Sequence, residues 1–296
     1  GAVLVEHCAV RRLDIAAGRV VGVLTEQGRI ACDQVVVAGG AWSSLFLSAH
    51  GVRIPQLSVL ASVAATEALP EVFAGNAADN RFAFRRRADG GYSIAPGSVH
   101  DFFIGPDAFR NFGLYLPVLK KDFRSTHFRA AAPRHFPDAW RTPRRWDADR
   151  PSPFEAIRVL NPSPNRGTLS DVQDAFAAAF PALGRPRLRA AWGGMIDTMP
   201  DVVPVVDRVA AIPGLVVATG LSGHGFGIGP GMGRVVADLV AAGAPPPNGD
   251  LGSWLDLALA QVTRVVKNPG KYKYAFALHP KALSPSLRTK LPKSLP

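Results

Sequence analysis

The sequence predicts an α/β (α+β) fold that combines a mostly parallel sheet with an antiparallel sheet. The β-branched run Val35–Val37 ends in two glycines, which is typical of a strand buried on both faces. A second apolar strand, at residues 214–219, leads into a glycine-rich segment. Between them, residues 81–95 alternate in character and turn at Asp89-Gly90-Gly91, which predicts an antiparallel hairpin.

The composition favours a folded, turn-rich protein over a disordered or nucleic-acid-binding one. Of the 296 residues, 47% are hydrophobic and 19% charged, which is enough to bury a core. The formal net charge is +11, but the basic clusters, such as Arg85–Arg87, are short and scattered. No helix-turn-helix, zinc or RNA-binding pattern accompanies them, so nucleic acid is not an expected partner.

The cysteines and the longest uncharged stretch indicate a cytoplasmic protein without a metal site or a transmembrane segment. Cys8 and Cys32 show no CxxC spacing, and no histidine pattern suggests metal ligands. The N-terminus has no features of a signal peptide. Residues 209–233 lack Asp, Glu, Lys and Arg, but they include eight glycines and two prolines, which suit a strand and a loop better than a membrane helix.

The remaining elements follow from local patterns. Short strands precede the first glycine pair, and Ser43 or Ser44 can cap a helix at residues 45–49. A strand is predicted at residues 56–67, helical pieces at 107–128, and an irregular segment at 133–164. Further predictions are a helix at 168–180 capped by Ser170, strands at 2–5, 10–14, 19–25, 29–32, 187–192 and 202–206, and a helix at 231–242.

The two glycine-rich segments are the candidate binding elements. Residues 35–43 place a strand end without side chains beside a helix start, which can accommodate a dinucleotide but also suits a tight packing turn. Residues 218–234 carry glycine at nearly every other position, so a flat or anionic ligand could approach the backbone at a helix N-terminus. The second segment matches neither G-x-G-x-x-G nor the G-x-S-x-G hydrolase turn. A flexible glycine loop is the alternative interpretation.

Four segments in order resemble the D-amino-acid oxidase superfamily of FAD-dependent enzymes, which includes glycine oxidase, sarcosine oxidase and amino-acid dehydrogenases. They are residues 6–10 with the strands that follow, 37–43, 192–201 and 218–239. The resemblance implies a discontinuous FAD-binding domain (1–50 and 191–247), an antiparallel substrate domain (51–190) and a Lys-rich tail (248–296). It also implies non-covalent FAD, because neither cysteine matches a position for a covalent link.

The resemblance assigns three groups of residues to the cofactor. The backbone around Val10 is expected to face the adenine half, and residues 38–42 the pyrophosphate and ribityl side. Residues 220–227 are expected to line the isoalloxazine ring. The cofactor-binding residues so implied are Val10, Ala38, Gly39, Gly40, Ala41, Trp42, Thr219, Gly220, Ser222, Gly223, His224, Gly225, Phe226 and Gly227.

Three departures from the family pattern bear on function. The chain lacks the N-terminal G-x-G-x-x-G unit, so we expect it to be a truncated form of a longer protein. Ile196 stands where related oxidases place a carboxylate-binding arginine, and Gly227 where sarcosine oxidases place a lysine. Arg86 is therefore a candidate for substrate binding, with a solvated charge as the alternative. His224 is either a hydrogen-bond partner of substrate or flavin or a helix-start residue.

The predicted activity is oxidation of an amino acid or secondary amine by hydride transfer from the carbon next to nitrogen to flavin N5. A dehydrogenase is slightly favoured over an oxidase because the lysine is missing, and the electron acceptor is not identified. The alternatives are an incomplete fragment or subunit whose partner chain supplies the dinucleotide motif, and a basic binding module that uses the tail.

Overall fold

A computed structural model describes residues 1–241, which form one compact unit. The predicted tail, 248–296, and the end of the last predicted helix lie outside the described residues. The strands are β1 (Val10–Ala16), β2 (Arg19–Thr25), β3 (Gly28–Ala31), β4 (Val35–Val37), β5 (Leu57–Thr66), β6 (Asn76–Ala78), β7 (Phe82–Arg86), β8 (Tyr92–Pro96), β9 (His100–Phe103), β10 (Thr126–Arg129), β11 (Leu188–Thr198), β12 (Val205–Arg208) and β13 (Leu215–Thr219). The α-helices are α1 (Ser43–Ser48), α2 (Pro106–Arg110), α3 (Phe112–Asp122), α4 (Pro153–Ala156), α5 (Arg166–Ala179) and α6 (Gly225–Ala241).

The first three strands form a small antiparallel sheet in the order β1-β2-β3. The irregular segment before α4, and α4 itself, pack on it through specific polar contacts. Trp146 Nε1 donates to Arg11 O at 2.9 Å, and Arg11 Nε pairs with Glu155 Oε1 at 2.7 Å with both side chains largely buried. The backbone N–H of Leu13 donates to His50 Nε2 at 3.0 Å, which ties β1 to the segment after α1.

The second sheet has the order β12-β13-β4, and β13 runs parallel to β4 and antiparallel to β12. Its core includes Val37, Leu47 and Leu215. Val216 and Val217 are both buried, and β13 is paired on both sides. Val36 on β4 is 38% exposed.

The third sheet has seven strands, and β5 is its centre, flanked by β8 and β9 on one side and by β11 on the other. The hairpin β7–β8 is confirmed, with Phe82 and Phe84 buried on one face. They pack with Tyr92 and with Phe176 of α5. The strand β11 continues to Thr198, so the predicted domain boundary at residue 191 falls inside this sheet.

Several local predictions differ from the structure. Residues 2–5 form no strand and are exposed. The helix predicted from residue 231 begins earlier, at Gly225, and includes the glycines that precede residue 231. The segment 133–164 is irregular apart from α4, as predicted. Within residues 1–241, no helix has the length and apolar character needed to cross a bilayer.

The N-terminus of α5 was also mispredicted. Ser170 lies inside the helix, and the cap is Asn165, whose side-chain oxygen accepts from the N–H groups of Gly167 and Thr168. Its Nδ2 donates at 3.0 Å to Asp101, which is buried in the large sheet. One asparagine therefore satisfies both the helix start and a buried carboxylate.

We expect Asn165→Ala to lower the free energy of unfolding by about 1–3 kcal/mol, because the cap and a partner of a buried carboxylate are both lost. Ser170→Ala is the matched control and should change stability by less than about 0.5 kcal/mol. Urea unfolding followed by circular dichroism measures both. Equal losses in the two variants would mean that Asn165 does not cap the helix.

Candidate functional site

Two strands end at the same edge of the second sheet. Because β4 and β13 are parallel and Val37 pairs with Val217, the chain leaves both strands in the same direction. The turn Ala38–Gly40 follows one strand and Gly220 the other. In open α/β sheets, ligands bind outside the carboxyl ends of such strands.

The first turn presents backbone rather than side chains. Ala38 and Gly39 are exposed, and Gly40 has a φ of +53°. A Cβ on Gly40 would have no atom of the described chain within 4 Å, so the space beside it is open. Ala41 is buried, and the Trp42 ring packs edge-on against Phe154 at 5.4 Å. The open surface of this turn therefore lies at residues 38–40.

The second glycine segment has a left-handed backbone before it becomes helical. Gly220, Ser222 and Gly223 have φ values of +75°, +50° and +83°. The backbone N–H of His224 donates to Leu221 O at 2.9 Å, and His224 is exposed immediately before α6.

The first turn of α6 includes three predicted cofactor residues, which are helical rather than in a loop. A Cβ on Gly225 would lie 2.9 Å from Leu221 Cδ1, whereas a Cβ on Gly227 would meet nothing within 4 Å. Phe226 is 102% exposed. The N–H groups of Gly227 and Ile228 donate to His224 O at 3.2 and 3.4 Å. The helix dipole favours negative charge at this helix end.

Gln56, which sequence reasoning missed, bridges the two turns. Its Oε1 accepts from the backbone N–H of Ser44 at 2.9 Å. Its Nε2 donates to Gly40 O at 3.1 Å, and Thr219 Oγ1 and Asp197 Oδ2 lie within 3.0 and 3.1 Å of that nitrogen. Gln56 and Thr219 are each only 2% exposed. The amide therefore replaces water inside the contact between the second and third sheets.

Asp197, near the end of β11, was also missed. Its Oδ2 accepts from the backbone N–H of Gly220 at 2.7 Å and from Thr219 Oγ1 at 3.2 Å. A signal was present in the sequence, since Asp197 is the single charged residue between Arg189 and Asp201. A charge inside a paired strand requires a specific partner.

Two further contacts fix the second segment near β11. The backbone N–H of Met199 donates to Ser222 Oγ at 3.3 Å. The Tyr115 hydroxyl lies 2.6 Å from Thr198 O and 2.9 Å from Pro55 O, and joins α3 to the strand ends. Burial raises the pKa of Tyr115 to about 12, so this hydroxyl stays a donor at neutral pH.

Ile196 lies against the glycine segment. Two of its carbon atoms would be 3.5 Å from a Cβ on Gly223, which is ordinary van der Waals distance. The side chain that faces Gly223 is therefore apolar and cannot form an ion pair with a carboxylate.

Arg86 lies away from the two glycine turns. Its Nη1 donates to Leu69 O at 3.0 Å, and its guanidinium lies 4.8 Å from the centre of the Tyr92 ring. Strand register places it beside the Thr66 end of β5, whereas Asp197 pairs with Ser58, a separation on the order of 20 Å along the strand. The structure does not bring Arg86 to the glycine turns, and its role in substrate binding stays a prediction.

Val10 begins β1 and is 37% exposed, and its expected position beside adenine also stays a prediction. The residues that the structure does bring together are those of the two glycine segments. Their open backbone fits a flat, anionic cofactor, because a Cβ at Gly40 or Gly227 would meet no atom of the described residues within 4 Å.

Comparison with known proteins identifies the family. The model of the family described as FAD dependent oxidoreductase (DAO) matches residues 1–239. The chain belongs to this family, and the predictions of the family, the fold and FAD as its cofactor are confirmed.

Individual relatives act on amino acids or amines. The structure of L-amino acid deaminase from Proteus myxofaciens in complex with anthranilate matches with a TM-score of 0.73 and 32% identity, over 81% of this chain and 53% of that one. Sarcosine oxidase subunit beta from Rhodobacter capsulatus is 22% identical over 84% of this chain and 47% of its own length. The 4-methylaminobutanoate oxidase (formaldehyde-forming) from Paenarthrobacter nicotinovorans is 26% identical over 81% of this chain and 24% of its own length. The chain thus spans about a quarter to a half of these relatives.

Gly220 and Gly227 are expected to respond oppositely to an added methyl group. Gly220→Ala should lower the free energy of unfolding by about 1–3 kcal/mol, since its φ is positive and a Cβ would lie 2.5 Å from Met199 Cγ. Gly227→Ala should leave the apoprotein as stable or up to about 1 kcal/mol more stable, because it lies in open space on a helix. Thermal unfolding of both apoproteins tests this. Destabilisation by Gly227→Ala would show that its surroundings are filled by the protein itself.

Proposed function

We propose that the protein containing this chain oxidises an amino acid or a secondary amine with FAD, at the bond between nitrogen and its neighbouring carbon. The proposal is supported by the pair of glycine turns at the carboxyl ends of two parallel strands, with Ile196 facing the second turn. When bound, FAD supplies the two-electron acceptor, at flavin N5, for the hydride that leaves the substrate carbon. The resulting imine is hydrolysed by water to a carbonyl compound and an amine or ammonia.

The chain's own residues would bind the cofactor and orient the substrate. Residues 38–40 and Gly227 would leave room for the cofactor, and the first-turn amides of α6 would stabilise negative charge near their helix end. His224, immediately before that helix, would provide a hydrogen bond to the substrate or cofactor. Ile196 would keep one wall of the site apolar and limit access of water to it.

A dehydrogenase is the preferred form of this activity. Gly227 occupies the position at which the related sarcosine oxidases are expected to carry a lysine, and its side-chain direction is open. Without a cation there, the site provides no positive side chain at that position to assist reduction of oxygen. Another electron acceptor would then complete the cycle.

The activity is tested by purifying the complete protein with FAD and following flavin absorbance near about 450 nm under anaerobic conditions. Bleaching by L-amino acids, D-amino acids or N-methylated amines, and faster turnover with an artificial dye than with oxygen, are the expected results. A protein that binds FAD but is bleached by none of these compounds would contradict the activity. Equal turnover with oxygen would contradict only the preference for a dehydrogenase.

A second candidate is a subunit whose FAD site is completed by a partner chain. Within the described residues β4 pairs only with β13, and Val36 beside this free edge is 38% exposed. One of the matched relatives is itself a subunit, sarcosine oxidase subunit beta. Co-expression with neighbouring gene products, followed by size-exclusion chromatography, distinguishes the two: a stable complex that alone retains flavin supports the subunit.

A further inference from the structure

A small polar cluster, which we call the turn clamp, lies between the second and third sheets: Gln56, Asp197 and Thr219. We infer that Asp197, oriented by Gln56, is a positioning residue that fixes the backbone at Gly220 for FAD. The inference deepens the proposed function and rests on its FAD site.

The turn clamp joins elements that no strand ladder connects. Asp197 belongs to β11 of the third sheet, whereas Thr219 ends β13 of the second. Gln56 precedes β5 and reaches Gly40 beyond β4. The distance between the two glycine turns is therefore set by side-chain hydrogen bonds, in addition to the pairing of β4 with β13.

The backbone at Gly220 requires such a restraint. Glycine has the widest choice of backbone conformations, and ordering it costs more entropy than ordering other residues. Gly220 adopts a φ of +75°, and its N–H donates to Asp197 Oδ2 at 2.7 Å, a short bond to a charged acceptor. This bond fixes the peptide plane between Thr219 and Gly220 at the point where the chain leaves the strand.

Asp197 also has the partners that a charge in this position requires. Its Oδ2 lies within hydrogen-bond distance of three donors, from Gly220, Thr219 and Gln56. Gln56 and Thr219 are buried, so water does not compete for the hydrogen bonds that Asp197 makes with them. The register of β11 with β5 does not depend on them, since Asp197 pairs with Ser58 through the backbone.

We expect the loss of the Asp197 charge to change the affinity for FAD more than it changes the stability of the apoprotein. Loss of the Asp197 charge should release the backbone at Gly220 while both sheets keep their ladders. FAD affinity should therefore fall by tenfold or more in Asp197→Asn, with only a small change in the melting temperature of the apoprotein.

The matched control is Asp101→Asn. Asp101 is a buried carboxylate of the same large sheet, and it accepts from Arg129 Nε at 2.7 Å and Asn165 Nδ2 at 3.0 Å. It contacts neither glycine turn. This variant should lower the melting temperature by several degrees and leave FAD affinity within about twofold of wild type.

A swap of the two polar groups tests the pairing within the turn clamp. Gln56→Glu alone places two carboxylates together and should weaken FAD binding. The double variant Gln56→Glu/Asp197→Asn restores one carboxylate and one amide, and it should bind FAD at least threefold more tightly than the product of the two single effects predicts.

The measurement is FAD titration of the complete protein by visible absorbance, together with thermal unfolding of each apoprotein. Tenfold weaker binding in Asp197→Asn with a nearly unchanged melting temperature supports the inference. Unchanged FAD affinity, or a loss of affinity matched by a large loss of stability as in a merely structural role, overturns it. A wild type that binds FAD but oxidises no amine overturns the proposed function and leaves the turn clamp standing, and a wild type that binds no FAD overturns both.

Discussion

The parallel pairing of β4 with β13 is the constraint on which the rest of the site depends. Three residue pairs, from Val35 with Leu215 to Val37 with Val217, bring together segments about 180 residues apart in the chain. Buried aliphatic side chains on both strands stabilise the pairing. Once it forms, both glycine segments emerge at one edge, and the large sheet must meet that edge for Gln56 and Asp197 to reach it.

Local patterns in the sequence predicted the elements well and their ends less well. The valine run of β4, the β7–β8 hairpin and β13 each carry a strong local signal, and all three are present. The start of α6 was predicted too late because glycine has a low helix propensity, which weakens the helical signal of residues 225–231. The cap of α5 was missed because Asn165 is also fixed by Asp101, a contact between distant parts of the chain.

Some residues of the candidate site were predicted from the sequence, and others were not. The glycines were predictable because absent side chains are visible in a sequence, and their order resembled a known family. Gln56 and Asp197 were not, since their role depends on which strands become neighbours. The sequence shows that residue 196 is an apolar isoleucine, and the structure places its side chain beside Gly223.

We propose that the two glycine segments form one surface for FAD. Hydrogen–deuterium exchange of the complete protein, with and without FAD, tests it most directly because exchange reports local opening of the backbone. We expect FAD to protect peptides covering residues 38–44 and 219–229 together, while peptides from the β7–β8 hairpin exchange as before. Protection of only one glycine segment, or of the hairpin instead, would contradict the claim.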